Sequence, residues 1–199
     1  MINKLSKAIA NKLIKSGTIN SEDYDIYVYG LFMLISQLIF LILILLLGAI
    51  FNCIIESILF YISFFAIRRY AGGYHAKTET KCEILSALSL LISISSIHFL
   101  ELSHYSMQIY LISIVSSLCI FTLAPLDTSQ KPLSHSEYKY FRKKALSVII
   151  FVLIINALSV YLKADRISIP LGISIILESF LLLIGTLKKK HVRNQLLNE

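Results

Sequence analysis

The sequence predicts an all-α polytopic membrane protein, with six transmembrane helices behind an N-terminal amphipathic helix and both termini in the cytoplasm. Three observations carry that reading. Of 199 residues, 56% are hydrophobic and 16% charged, and the mean hydropathy is +0.74, which is too apolar for a soluble domain of this size. The apolar residues collect in uncharged runs of the length a helix needs to cross a bilayer, about 20 residues. The basic residues lie between those runs and favour alternate loops. One membrane domain, residues 1–199, is the economical division: an amphipathic segment at 1–25, a bundle at 26–187 and a basic cytoplasmic tail at 188–199.

In the first segment Ile2, Leu5, Ile9 and Leu13 fall near one helical face, with Lys4, Lys7 and Lys15 off it. Such a helix suits an anionic leaflet, and equally the side of the protein's own bundle. Ser21 to Asp25 make an acidic break. From Ile26 to Ile67 the only charged residue is Glu56, so this run holds two crossings, with the turn expected at Gly48 to Asn52. Ile84–Leu100 and Leu102–Leu126 read as crossings three and four, separated by Glu101, Ser103 and His104. Ala145–Leu162 and Ile167–Leu187 complete the set, with Lys163 to Arg166 as their turn.

Orientation follows from the loops. Lys4, Lys7, Lys12 and Lys15 precede the first crossing; Arg68, Arg69, Lys77 and Lys81 follow the second. Lys131, Lys139, Arg142, Lys143 and Lys144 follow the fourth, and Lys188, Lys189, Lys190 and Arg193 follow the sixth. That places 17 of the 19 basic residues on one side, against Lys163 and Arg166 on the other, and cytoplasmic loops hold the excess. The net charge of +7 is accounted for by this flanking role, and nucleic acid is not an expected partner; membrane lipids are. The N-terminus lacks an apolar run with a small-residue cleavage site and does not read as a removable signal peptide. Cys53, Cys82 and Cys119 have neither zinc nor redox spacing, and the first and last sit in apolar runs as small hydrophobes.

Chemistry concentrates between Arg68 and Glu83, RRYAGGYHAKTETKCE. A cysteine attacks a carbonyl as its thiolate, and needs a base and a positive, partly wet setting. Cys82 has His75 seven residues upstream, with Arg68, Arg69, Lys77 and Lys81 nearby. Thr80 and Glu83 match a capping box, with Thr80 as N-cap, and would put Cys82 in the first turn of the third crossing, where unpaired amides and the helix dipole favour an anion. On a straight helix His75 and Cys82 would stand roughly 10 Å apart, so a dyad requires the chain between them to bend. Gly72 and Gly73 supply backbone freedom there, and their amides could approach an oxyanion. A plain cytoplasmic loop with a solvated histidine fits the same pattern.

The order Arg68, Gly72-Gly73, His75-Ala76, Cys82 resembles the signature of the accessory gene regulator B (AgrB) family, membrane endopeptidases that process a quorum-sensing peptide precursor. Ala124-Pro125-Leu126-Asp127 through Lys131-Pro132-Leu133 is similar to that family's proline-flanked basic loop, and the resemblance covers nearly the whole chain. It implies that Cys82 attacks a backbone carbonyl of an AgrD-like precursor peptide, with His75 as base and then acid. The resulting thioester would allow closure of a thiolactone or lactone ring. Arg68, Gly72 and Gly73 would support the site or bind the precursor, and the resemblance suggests a homodimer. No cofactor and no metal is implied: His98, His104, His135 and His191 have no ligand spacing. Glu56 and Glu178 lie within apolar spans, where an ionisable group points either to a polar cavity or to neutralisation and interhelical bonding. A small transporter or peptide exporter using those two glutamates is the competing function. The serines of crossings three and four read as small packing residues. Pro125 and Pro132 end a helix and stiffen the loop.

Overall fold

Apolar runs of this length have one way to satisfy their backbone N–H and C=O groups away from water, which is to bond within a helix. The computed structural model describes residues 2–74, 79–127 and 133–196. Among the described residues there are seven α-helices: α1 (Ile2–Lys15), α2 (Tyr24–Ile50), α3 (Ile54–Ala71), α4 (Glu79–Leu102), α5 (Ser106–Leu123), α6 (His135–Tyr161) and α7 (Asp165–Leu196). Contacts divide the chain into two compact units, residues 1–46 and 47–199, with the boundary inside α2.

Five helices are long and apolar enough to cross a membrane: α2 with its preceding turn, α4, α5, α6 and α7. The remaining crossing read from sequence corresponds to α3, whose 18 residues carry Glu56 in the first turn and Arg68 and Arg69 in the last. Its uncharged stretch between Glu56 and Arg68 covers roughly 18 Å, short of a hydrocarbon core of about 30 Å. The end charges of α3 therefore need partners.

In the first unit, α1 is amphipathic as expected, but its buried stripe is Ile2, Ser6 and Ala10, while Leu5 is exposed. Gly17 at φ 69 closes α1. Its N–H donates to Ile14 O at 2.9 Å and that of Thr18 to Leu13 O at 3.0 Å, the paired bonds of a Schellman cap.

In the second unit α7 is the central helix, with 61% of its apolar window buried and its largest contacts made with α5 and α3. The core beside it is built from Ile67, Ile120, Ile149, Ile175 and Leu182, all fully buried. Gly172 permits the close approach of α5, since a Cβ there would lie 2.4 Å from Ile109 Cγ2. Between α5, α6 and α7 the buried Asn156 accepts from Ser168 Oγ at 2.7 Å and donates to Ser113 Oγ at 3.5 Å. Ser93, Ser113 and Ser117 are buried, in keeping with serine as a packing residue, and Ser113 and Ser117 return their hydroxyls to carbonyls of their own helix.

The turns match expectation closely at one end of the bundle. Asn52, His104 and Lys163 all have positive φ, at 59°, 56° and 56°. Each is followed by the Schellman bond pair, for Lys163 as Lys163 N to Val160 O at 3.0 Å and Ala164 N to Ser159 O at 2.8 Å. At the other end there are differences. Because α4 begins at Glu79, Thr80 is inside the helix and is not its N-cap. A capping box exists instead at α6, between Ser134 and Glu137. Lys139 and Arg142–Lys144, expected in a loop, are helical in α6, and α7 continues through the basic segment to Leu196.

Candidate active site

Arg68 sits in the last turn of α3, and Gly72 ends the helix at φ 76, its N–H bonded to Arg68 O at 3.0 Å. The chain then lies against two other elements. Gly72 forms a single parallel bridge with Leu126, and Leu126 N donates to Ala71 O at 2.9 Å. A Cβ on Gly72 would meet Leu126 O at 2.5 Å. Tyr74 N donates to Leu181 O of α7 at 3.2 Å, an approach that requires Gly185, whose Cβ would lie 3.1 Å from Tyr74 N and 2.4 Å from a methyl of Leu126.

Arg68 turns back over this segment. Its Nη2 donates to Tyr74 O at 2.8 Å, and its Nη1 stands 3.5 Å from Glu178 Oε2. The Glu178 side chain is fully buried and that of Arg68 is 22% exposed. Among the described residues, neither Nη1 nor either Glu178 oxygen has a hydrogen bond of ordinary geometry, and the two side chains face each other at ion-pair distance. Gly73, at φ 142, makes room: its Cβ would fall 1.9 Å from Arg68 Nη1. The paired glycines thus serve two close approaches, one to the Leu126 backbone and one to the guanidinium.

Cys82 is a free, half-buried thiol in the first turn of α4. His75, Lys77, Lys131 and Pro132 lie outside the described residues. The backbone carrying His75 is nevertheless fixed up to Tyr74. Asp127 is engaged by Lys189. Lys188 Nζ lies 4.6 Å from the Tyr74 ring centroid. Among the described residues no group of three or more His, Cys, Asp or Glu side chains could hold a metal ion.

Several site residues escape sequence reasoning. Leu126 and Gly185 have no polar atoms to mark them. Arg142 reads as one more positive loop residue, yet it donates to Ala124 O at 2.8 Å and Phe121 O at 3.2 Å, satisfying carbonyls at the α5 C-terminus. Glu178 and Glu56 do carry a legible signal, an acid in an apolar run, and both have arginine partners. Arg166 Nε lies 3.6 Å from Glu56 Oε1 and 3.0 Å from Glu101 Oε1. At that same far end, burial pushes the Cys53 thiol up, with Glu56 and Glu101 adding to the shift and the Ser57 hydroxyl opposing it.

The sequence model of the family described as accessory gene regulator B matches residues 6–182. The chain belongs to the AgrB family. Among AgrB relatives, it is 30% identical to a putative AgrB-like protein 2 of Clostridium perfringens over 169 residues, 81% of this chain and 78% of the relative. A putative AgrB-like protein of another C. perfringens strain is 28% identical over 192 residues, 87% and 88% of the two chains. The accessory gene regulator protein B of Staphylococcus intermedius is 26% identical over 110 residues, covering 55% and 56%. No solved structure matches the chain.

Proposed function

We propose that this AgrB-family chain is a multi-pass cell-membrane cysteine endopeptidase. It cleaves the C-terminal part of a small AgrD-like pheromone precursor and promotes ring closure of the quorum-sensing product. The observation that carries the reading is the anchoring of the chain from Gly72 to Tyr74 on α7 and Leu126, immediately ahead of His75, in a chain whose Cys82 is a free, half-buried thiol of α4. A fixed approach is what a base needs if it is to meet a nucleophile on another element.

In this mechanism the Cys82 thiol gives its proton to His75, and the sulfur attacks a precursor carbonyl. The carbon–nitrogen bond breaks as the imidazolium returns the proton to the departing amine. The acyl group is left on Cys82 as a thioester. A thiol or hydroxyl within the held peptide then attacks that carbonyl; the new ring bond forms, the bond to Cys82 breaks, and its sulfur recovers a proton. Placement at the cytoplasmic edge of the bilayer limits hydrolysis of the thioester. A homodimer fits this reading.

The transporter alternative asks Glu56 and Glu178 to line one path. Each is paired with its own arginine, and the two pairs stand roughly 18 Å apart along α7, which favours the peptidase. The test is precursor maturation in membranes. Cys82→Ser and His75→Ala are expected to abolish cleavage with insertion intact, and wild-type enzyme is expected to yield a hydroxylamine-sensitive precursor adduct on Cys82. Full maturation by Cys82→Ser ends the proposal.

A further inference from the structure

We infer that Glu178 is a positioning residue for the candidate active site, acting through Arg68 on the carbonyl of Tyr74, the residue immediately ahead of His75. The inference rests on the Cys82–His75 reading above and adds a residue and a route to it.

A carboxylate in the middle of an apolar helix is retained against a large desolvation cost only where a partner stabilises it. For Glu178 that partner is Arg68, at 3.5 Å. The same guanidinium donates to Tyr74 O at 2.8 Å. That oxygen belongs to the residue immediately ahead of His75 in the sequence, so the guanidinium holds the chain at the point from which it continues to His75. The other side of Tyr74 is held as well, by the bond from its N–H to Leu181 O at 3.2 Å on α7. Glu178 stands three residues, just under one helical turn, before Leu181 on the same helix. Helix α7 thus contacts the segment twice, directly through a carbonyl and indirectly through its carboxylate.

The arrangement needs a fork. One nitrogen faces Glu178 while the other reaches Tyr74 O, and a lysine, with a single point of charge, cannot do both. Gly73 agrees with this division, because its missing side chain leaves the space that Nη1 occupies. With a neutral residue at position 178, the guanidinium loses the charge that orients it. It can then swing toward water, releasing the Tyr74 carbonyl.

The experiment uses the full chain in proteoliposomes and iodoacetamide at pH 7, with alkylation of Cys82 followed by the mass of its peptide. His75→Ala is expected to slow the reaction about tenfold, the effect of losing one charge-assisted hydrogen bond. Glu178→Gln and Arg68→Lys are each expected to slow it by about as much, and to add little when combined with His75→Ala, because they act through the same group. Glu178→Asp keeps the charge and is expected to recover most of the rate. A role in packing alone predicts the reverse order, since Gln keeps the shape and Asp does not. Wild-type alkylation in Glu178→Gln, full additivity with His75→Ala, or Asp poorer than Gln would overturn the inference. Should His75→Ala itself react at the wild-type rate, the Cys82–His75 pairing falls, and this inference with it.

Discussion

A methyl group at position 73 has nowhere to go. It would lie 1.9 Å from Arg68 Nη1, on a backbone already at φ 142, so Gly73→Ala must displace the guanidinium and strain the chain together. The strained backbone alone costs on the order of 1–3 kcal/mol. The expected outcome is a clear fall in thermal stability in detergent and loss of precursor cleavage. Gly17→Ala is the contrasting case: φ 69 but no atom within 4 Å of the added carbon, hence only the left-handed penalty of roughly 1–2 kcal/mol and no effect on cleavage. If the two variants behave alike, the guanidinium is not what Gly73 accommodates. The Gly72-Gly73 pair is legible in the sequence as a place where the backbone needs freedom. What approaches it is not, because Leu126 comes from a distant segment whose pairing no local pattern encodes, and Arg68 turns back over Gly73 toward Glu178 of α7.

The apolar bodies of the helices were legible and their ends less so, since α6 starts at His135 rather than Ala145 and α7 runs to Leu196 rather than Leu187. Where a residue in the left-handed region terminates a helix, chain reversal occurs within three residues, as at Phe51–Cys53 and Leu162–Ala164. Asn52 signals this, whereas His104 and Lys163 do not, since neither residue type marks such a cap. Lys163 is exposed, and Lys163→Gly is expected to stabilise the protein by about 1 kcal/mol through relief of the left-handed strain, read as a rise in the unfolding midpoint. Start signals were less reliable: Thr80 and Glu83 have the letters of a capping box, yet the box forms at Ser134 and Glu137. A four-residue motif is satisfied by chance too easily to place a helix start alone.

A longer pattern was present and is more telling. Glu56 and Arg68 on α3 are separated by the same twelve residues as Arg166 and Glu178 on α7, with the signs reversed, and they pair first with first and second with second. Two such rungs admit only parallel helices in one register. A slip by one helical turn would leave two buried charges unpaired, which costs several kcal/mol.

At the scale of the molecule, the charges give the bundle two unlike ends. The end that holds the α3–α4 and α5–α6 connections carries Arg68, Arg69, Lys81, Lys139, Arg142 and Lys143, and α7 adds Lys188 and Lys189. The far end has Lys163 and Arg166, and Arg166 is already engaged by Glu56 and Glu101. Basic loops are held in the cytoplasm during insertion, so the proposed orientation places Cys82 at the inner face and Lys163 outside. In intact cells, Lys163→Cys is expected to react with a membrane-impermeant maleimide, and Lys139→Cys to react only after the membrane is opened. The reverse labelling would put the thiol of Cys82 on the outer face, away from a precursor made inside the cell. It would then remove the endopeptidase reading whatever the geometry around Arg68.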